Sequence, residues 1–329
     1  VSKLEIIKVR AILALALLCA AFVIRIPRAA PVLETKDYAF FLSAEMNPLP
    51  PKSEEIILTH FLQEPPRFTI SDEYAEQLSD FGYLTRSIFL VDPRTKLLES
   101  DIDTAEFLEK DFAIDLNAGG PQVLIFHTHS MEMFADSDPD EPMTGVFGVG
   151  AELARVLEEK HGIRAMHHMG RFDVVDGMPR RQGSYERSEA AIRQLLADNP
   201  SIQVVIDLHR DGVGPHVSPM VTHINDNRTA KIMLVNGLSR SKKGDEITEL
   251  TSLPNPYQRE NLAFSFNFQL AANHMYPGLA RRVYLLEYRY SLHMSPRSIL
   301  LEVGAQNNTL QEALNAAEPV ADVIAVVVG

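Results

Sequence analysis

From about residue 116 the chain alternates between two textures. Short runs rich in β-branched and other apolar residues read as strands: Gln122–His127, Ile163–His168, Gln203–Leu208, Lys231–Val235, Val283–Glu287 and Ile299–Val303. Between them, Val149–Lys160, Tyr185–Ala197, Glu260–Met275 and Leu310–Val326 repeat apolar residues at helical spacing. Strands that are apolar on both faces and separated by helices predict an α/β fold, a mostly parallel sheet flanked by helices on both faces. In such sheets ligands bind beyond the carboxyl ends of the strands, so chemistry is expected there. The chain has no internal repeat and no GxGxxG or GxxxxGK[ST] run, so nothing supports dinucleotide or NTP binding.

Upstream the pattern differs. Ala11–Ile24 is an unbroken apolar run, preceded by Lys8 and Arg10 and followed by Arg25. As a helix it would span roughly 21 Å, short of a ~30 Å hydrocarbon core unless Ile26 joins it and Arg25 snorkels. It reads as a secretion signal or a single membrane anchor with its basic side cytoplasmic. Seven prolines between Pro27 and Pro66 then rule out long helices and central strands, which indicates a semi-rigid spacer. The predicted organisation is an anchor or signal over 1–30, a Pro-rich spacer and small adaptor over 31–115, and a catalytic domain over 116–329.

Composition narrows the function. Of the 329 residues, 46% are apolar and 23% charged, an ordinary globular profile. The net charge is −13 although residues 1–30 carry +4, so the remainder carries −17. That argues against nucleic acid as a partner. Cys19 is the only cysteine, which excludes an intrachain disulfide and any Cys-based zinc site. A metal would be held by His, Asp or Glu.

Three strand ends carry such residues. After Val123–Phe126 come His127-Thr128-His129-Ser130-Met131-Glu132, where His129 and Glu132 can fold back onto one cation. In Val205-Ile206-Asp207-Leu208-His209-Arg210, Asp207 and His209 share a face while the strand lasts. In Leu300-Leu301-Glu302-Val303-Gly304, a carboxylate set among apolar residues suits proton transfer near neutral pH. Two histidines and a glutamate are the ligand set of catalytic Zn²⁺ with one open position. The site expected is therefore Zn²⁺ on His129, Glu132 and His209, with Glu302 as general base. Asp207 is expected to orient a ligand imidazole. His127 either does likewise or is a core histidine, and Arg210 pairs either with a peptide carboxylate or with Asp211. Glu287 is a rival base, and His167 and His168 read as surface or core residues.

The His129–Glu132 and Ile206–His209 phrases resemble the HxxE and following His of zinc carboxypeptidases. A longer resemblance is to the stage II sporulation protein P family. It is carried by Phe126–Glu132, Ser184–Ser188, Asp198–Ile202, Asp207–Gly212, Tyr276–Leu279 and Leu301–Thr309, in family order over roughly 116–325. The resemblance implies a fold similar to zinc N-acetylmuramoyl-L-alanine amidases. It also implies a peptidoglycan hydrolase that cuts the N-acetylmuramoyl-L-alanine amide and peptide cross-links during engulfment of the forespore. Such a protein is anchored in the intermembrane space beside a lytic transglycosylase and a membrane-protein anchor, the stage II D and M proteins. The chain departs from the family at Tyr290-Ser291-Leu292-His293, where members carry a Tyr-Asn-Gln run. The middle ligand also has an alternative, Glu152 on the next helix, since zinc amidases often take a glutamate there. Non-enzymatic and other enzymatic readings remain: an exported wall-binding scaffold, or a carboxypeptidase on stem peptides. The second needs an arginine to clamp a terminal carboxylate, and none stands out among Arg187, Arg210 and Arg289.

Overall fold

The computed structural model describes residues 70–214 and 216–329. Two short helices begin it, α1 (Asp72–Ser79) and α2 (Phe81–Ser87), each started by a side-chain cap. Ser71 Oγ accepts from Tyr74 N at 3.2 Å, and Asp80 Oδ1 accepts from Tyr83 N at 2.6 Å. Strand β1 (Phe89–Val91) and helix α3 (Thr104–Glu109) lead to β2 (Val123–Phe126). There follow α4 (Val146–His161), β3 (Ala165–His167), a small hairpin of β4 (Val174–Val175) and β5 (Met178–Pro179), α5 (Ser184–Asp198) and β6 (Val204–Asp211). A second hairpin, β7 (Val221–Ile224) and β8 (Asn227–Ala230), precedes β9 (Ile232–Gly237), and a third, β10 (Arg240–Lys243) and β11 (Glu246–Glu249), follows it. The described chain closes with α6 (Gln258–Met275), β12 (Val283–Leu286), β13 (Ser298–Ala305), α7 (Leu310–Leu314) and α8 (Ala317–Val328).

Seven strands form one sheet in the order β1-β12-β9-β13-β6-β2-β3. Every neighbouring pair is parallel except β9 and β13. Alternate residues of each strand go to opposite faces. Val123, Ile125, Val204, Ile206, Leu208, Ile299 and Leu301 meet α4, α6 and α8 in the main core. On α4 the buried Val146, Val149, Leu153, Val156 and Leu157 make the helical stripe that the sequence periodicity predicts. Leu124, Phe126 and Val205 face the other way, onto Ile192, Leu195 and Leu196 of α5. So the sheet is flanked on both faces, as expected, although one side holds three long helices and the other a single one. The rest of that second face, Met233, Val235 and Leu300, lies under Leu292 and Tyr290 of the loop before β13.

Two expectations change. Part of the segment assigned to a spacer and adaptor, from Ile70 onward, is built into this same sheet and core. β1 pairs with β12, and Phe107 packs edge-on to Phe266 of α6 with centroids 5.9 Å apart. The helix predicted over Leu310–Val326 is two helices broken at Asn315–Ala316, with Pro319 in the first turn of the second, where its missing N–H costs nothing. The apolar run at 11–24 and the prolines up to Pro66 lie outside the described residues. Among the described residues no helix is long and apolar enough to cross a membrane.

Candidate metal centre and active site

The sheet positions the site by register. Phe126, the last residue of β2, pairs with Asp207, and Glu302 of β13 pairs with His209 of the same strand β6. In-register residues of parallel strands share a face, so Asp207, His209 and Glu302 emerge on the side covered only by α5. Beyond β2 the backbone turns, and four hydrogen bonds fix the turn. Thr128 donates twice to Asp207, N to Oδ1 at 2.9 Å and Oγ1 to Oδ2 at 2.7 Å. Asp173, from the loop before β4, accepts from Ser130 Oγ at 2.5 Å and from Met131 N at 3.0 Å. The turn brings His129 and Glu132 over His209.

The three side chains are buried, and one ligand atom from each lies within 4.8 Å of the others. His209 Nδ1 is 3.1 Å from Glu132 Oε2, and His129 Nδ1 is 3.5 Å from Glu132 Oε1. On the far side of its ring, His209 Nε2 is 2.8 Å from Asp207 Oδ1. Burial opposes charge on these groups, but the carboxylates and His209 outweigh it. Asp207 and Glu132 are held below their ordinary range, and His209 is held well above its own. Two buried atoms here have no hydrogen-bond partner, His129 Nδ1 and Glu302 Oε2. A cation among the three would give His129 Nδ1 a bond and take over the proton's role between His209 and Glu132. Two imidazole nitrogens and a carboxylate are also a donor set that zinc accepts, so the residues present fit the metal. Glu302 is different in kind. Burial, in the absence of any hydrogen bond to that oxygen, pushes its carboxyl up to about 8.

Other candidates fall into place around this centre. His127 follows the alternation of Val123 and Ile125, so its ring points to the α4 face, while the turn that follows carries His129 to the other side. Its Nδ1–H donates to Leu208 O at 2.8 Å and its Nε2 meets His167 Nε2 at 2.7 Å, beside Phe147. Burial lowers His127 to about 3 and His167 to about 4, so both are neutral core histidines. His168 packs on Phe172. The Arg210 backbone N donates to Glu132 Oε2 at 3.0 Å and its Nε to Met133 O at 3.0 Å, so it braces the turn, while the Asp211 carboxylate takes Arg281 at 2.6 Å. Glu152 stands on the outer surface of α4, paired with Arg155 at 2.6 Å and away from the cluster. The Glu287 backbone carbonyl receives Arg240 N.

Sequence reasoning missed three contributors. Asp173 lies in the loop before β4 and Arg181 in the loop between β5 and α5, neither of which has a periodic pattern. Arg181 Nη2 lies 2.8 Å from Glu132 Oε1, and nothing in its sequence neighbourhood announces it. Tyr185 stacks edge-on to His129 at 5.4 Å and lies inside the Ser184–Ser188 phrase, which was the one available signal.

A family model described as stage II sporulation protein P matches residues 77–325. Stage II sporulation protein P of Bacillus subtilis (strain 168) is 26% identical over 218 residues, covering 61% of this chain and 49% of that protein. The chain therefore spans about half the length of that relative. Among solved structures, N-acetylmuramoyl-L-alanine amidase AmiC2 of Nostoc punctiforme is 16% identical with a TM-score of 0.36, covering 63% of this chain and 97% of that one. The N-acetylmuramyl-L-alanine amidase Ami1 of Mycobacterium smegmatis is 13% identical with a TM-score of 0.37, covering 66% and 97%.

Proposed function

This chain belongs to the stage II sporulation protein P family, and from that premise we propose that it is a zinc-dependent peptidoglycan hydrolase acting in sporulation. It cuts the N-acetylmuramoyl-L-alanine amide and, in the same groove, peptide cross-links. The observation that carries the reading is the buried cluster of His129, Glu132 and His209 with Glu302 one strand away in register. Zinc, when bound there, supplies a Lewis acid for the scissile carbonyl and acidifies water.

The chain's own residues do the rest. Asp207 accepts the His209 Nε2–H, which leaves Nδ1 as the lone pair available for a ligand. Asp207 is itself held by Thr128, so the tautomer is set by backbone that the sheet fixes. Glu302 Oε2, with no competing hydrogen bond, takes the proton of the attacking water and delivers it to the leaving nitrogen. Both target bonds are amides, so one base serves both cleavages. By family likeness the work takes place outside the cytoplasm at a membrane, beside a lytic transglycosylase and a membrane-protein anchor, and co-purification with those partners would test that assignment.

The decisive experiment is mass spectrometry of products from purified peptidoglycan incubated with the full chain, with zinc and with chelator. Free stem peptides beginning with L-alanine, abolished by chelator, are expected, together with loss of cross-links. No products in either condition would favour a wall-binding scaffold instead. A carboxypeptidase reading draws on Arg181, a guanidinium at the cluster that the sequence did not reveal. It predicts free D-amino acids in place of those peptides.

A further inference from the structure

We propose that Arg181 is the carboxylate-recognising residue of this site, parked on Glu132 until a cation takes that carboxylate. The inference rests on the metal-hydrolase reading above. Arg181 Nη2 lies 2.8 Å from Glu132 Oε1, and the pair spans the boundary of the protein: the Glu132 side chain is 2% exposed and that of Arg181 is 64% exposed. The guanidinium therefore reaches in from the mouth, with the rest of its planar fork of donors turned toward water.

The loop that carries it is held firmly. Arg180 N donates to Asp173 O at 2.6 Å, and Arg187 from α5 donates to Phe172 O at 2.6 Å, Arg180 O at 2.5 Å and Gln182 O at 3.0 Å. The Asp173 carboxylate in turn holds the ligand-bearing turn through Ser130 and Met131. The backbone around Arg181 is thus tied to the metal ligands, while its side chain makes one bond, to a carboxylate. The arginines that sequence singled out are all committed elsewhere. Arg187 is spent on carbonyls, Arg210 braces Met133 O, and Arg289 pairs with Glu189 at 3.2 Å and Pro254 O at 3.2 Å.

Glu132 Oε1 holds the guanidinium while Oε2 faces His209 Nδ1 and Arg210 N, so a cation on this carboxylate meets the guanidinium on, or beside, the oxygen it binds. A divalent cation at Glu132 displaces the guanidinium or is weakened by it, since like charges a few ångströms apart repel. Once released, the fork stands beside the reaction centre, where it matches a planar carboxylate in two-point geometry. Peptides of the wall carry such carboxylates close to the bonds that this site is proposed to cut. The substrate class is thus an amide with a free carboxylate nearby, in preference to the same amide with that carboxylate masked as a carboxamide.

The test uses the full chain and Arg181→Gln, with two binding readouts. In chelator competition, the variant is expected to hold zinc about tenfold more tightly, equivalent to ~1.4 kcal/mol; equal or weaker binding overturns the parked state. In calorimetry on zinc-loaded protein, wild type is expected to bind alanyl-glutamate about tenfold better than its carboxamide counterpart, and Arg181→Gln to bind the two equally. A preference that survives in the variant, or wild type that binds both alike or neither, overturns the recognition role. If the preference holds as expected but peptidoglycan is never cut, the hydrolase reading fails and the arginine's role stands.

Discussion

Asp207 and His209 stand two residues apart on β6, and the Asp207 carboxylate accepts from the His209 ring at 2.8 Å while taking two further bonds from Thr128. One side chain thus sets both the orientation of a candidate ligand, His209, and the course of the turn that carries the other two candidates. Asp207→Asn keeps the shape and removes the charge. It is expected to lower metal affinity by about 10–100-fold, the usual cost of losing such a partner. Equilibrium dialysis with zinc checks this, and unchanged affinity would show that the tautomer is set by something else.

Glu302 and the ligands should separate cleanly. Glu302→Gln is expected to bind zinc as wild type does and to lose turnover by about 10²–10⁴-fold, the range of general base catalysis. His209→Ala is expected to lose both metal and turnover. Metal content by mass spectrometry, read beside the product assay, decides; an active Gln variant removes Glu302 from the chemistry.

The two candidate middle ligands differ in burial. Glu132→Ala is expected to abolish tight zinc binding. Glu152→Ala touches only a surface pair with Arg155, so it should leave the metal in place and shift stability by less than about 1 kcal/mol. The opposite pattern would transfer the ligand role to α4.

Gly150 lies in the interior of α4, where alanine ordinarily stabilises a helix by about 1 kcal/mol. A Cβ there would meet His167 Nε2 at 2.7 Å and His127 Nε2 at 2.8 Å, within the bonded histidine pair. Crowding of that kind costs roughly 1–3 kcal/mol, so Gly150→Ala is expected to destabilise the fold. A raised melting temperature in the variant would mean the pair yields easily.

Asp322 joins α8 to α4 and α6. Burial works against its charge, but His161 at 2.7 Å, Lys160 at 2.8 Å and Tyr276 at 2.5 Å prevail and bring its carboxyl down to about 2. Its folded value is below the ordinary 3.8, so its stabilisation is complete above that pH and is lost as pH falls toward 2. Asp322→Asn should therefore cost about 1–2 kcal/mol at pH 7, discounted for the water around Lys160. The gap from wild type should narrow below pH 4 in urea titrations; a constant gap would assign the loss to packing.

The sequence announced the parts of this site that lie on or just past long apolar strands. Val123–Phe126, Val204–Leu208 and Ser298–Val303 are buried on both faces, so their ends could be placed, and with them His129, His209 and Glu302. It could not announce that His127 and His129 part company: alternation with Val123 and Ile125 keeps His127 on the α4 face, and the turn after it, held through Thr128 and Asp207, takes His129 to the other. Nor could it show β1, three residues long and upstream of the periodic region, or the antiparallel pairing of β9 with β13, since periodicity carries no strand direction. Arg181 and Asp173 were hidden because tertiary contacts alone define them.

The last strand of the described chain, β13, lies in the middle of the sheet between β9 and β6, and Glu302 rides on it. A chain emerging in order can bring His129, Glu132 and His209 together before residue 298 exists, yet it holds neither the central strand nor the base. Completion of the sheet and arming of the site are then a single event. A copy that stops short of residue 298 therefore lacks the central strand of the sheet and the candidate base together.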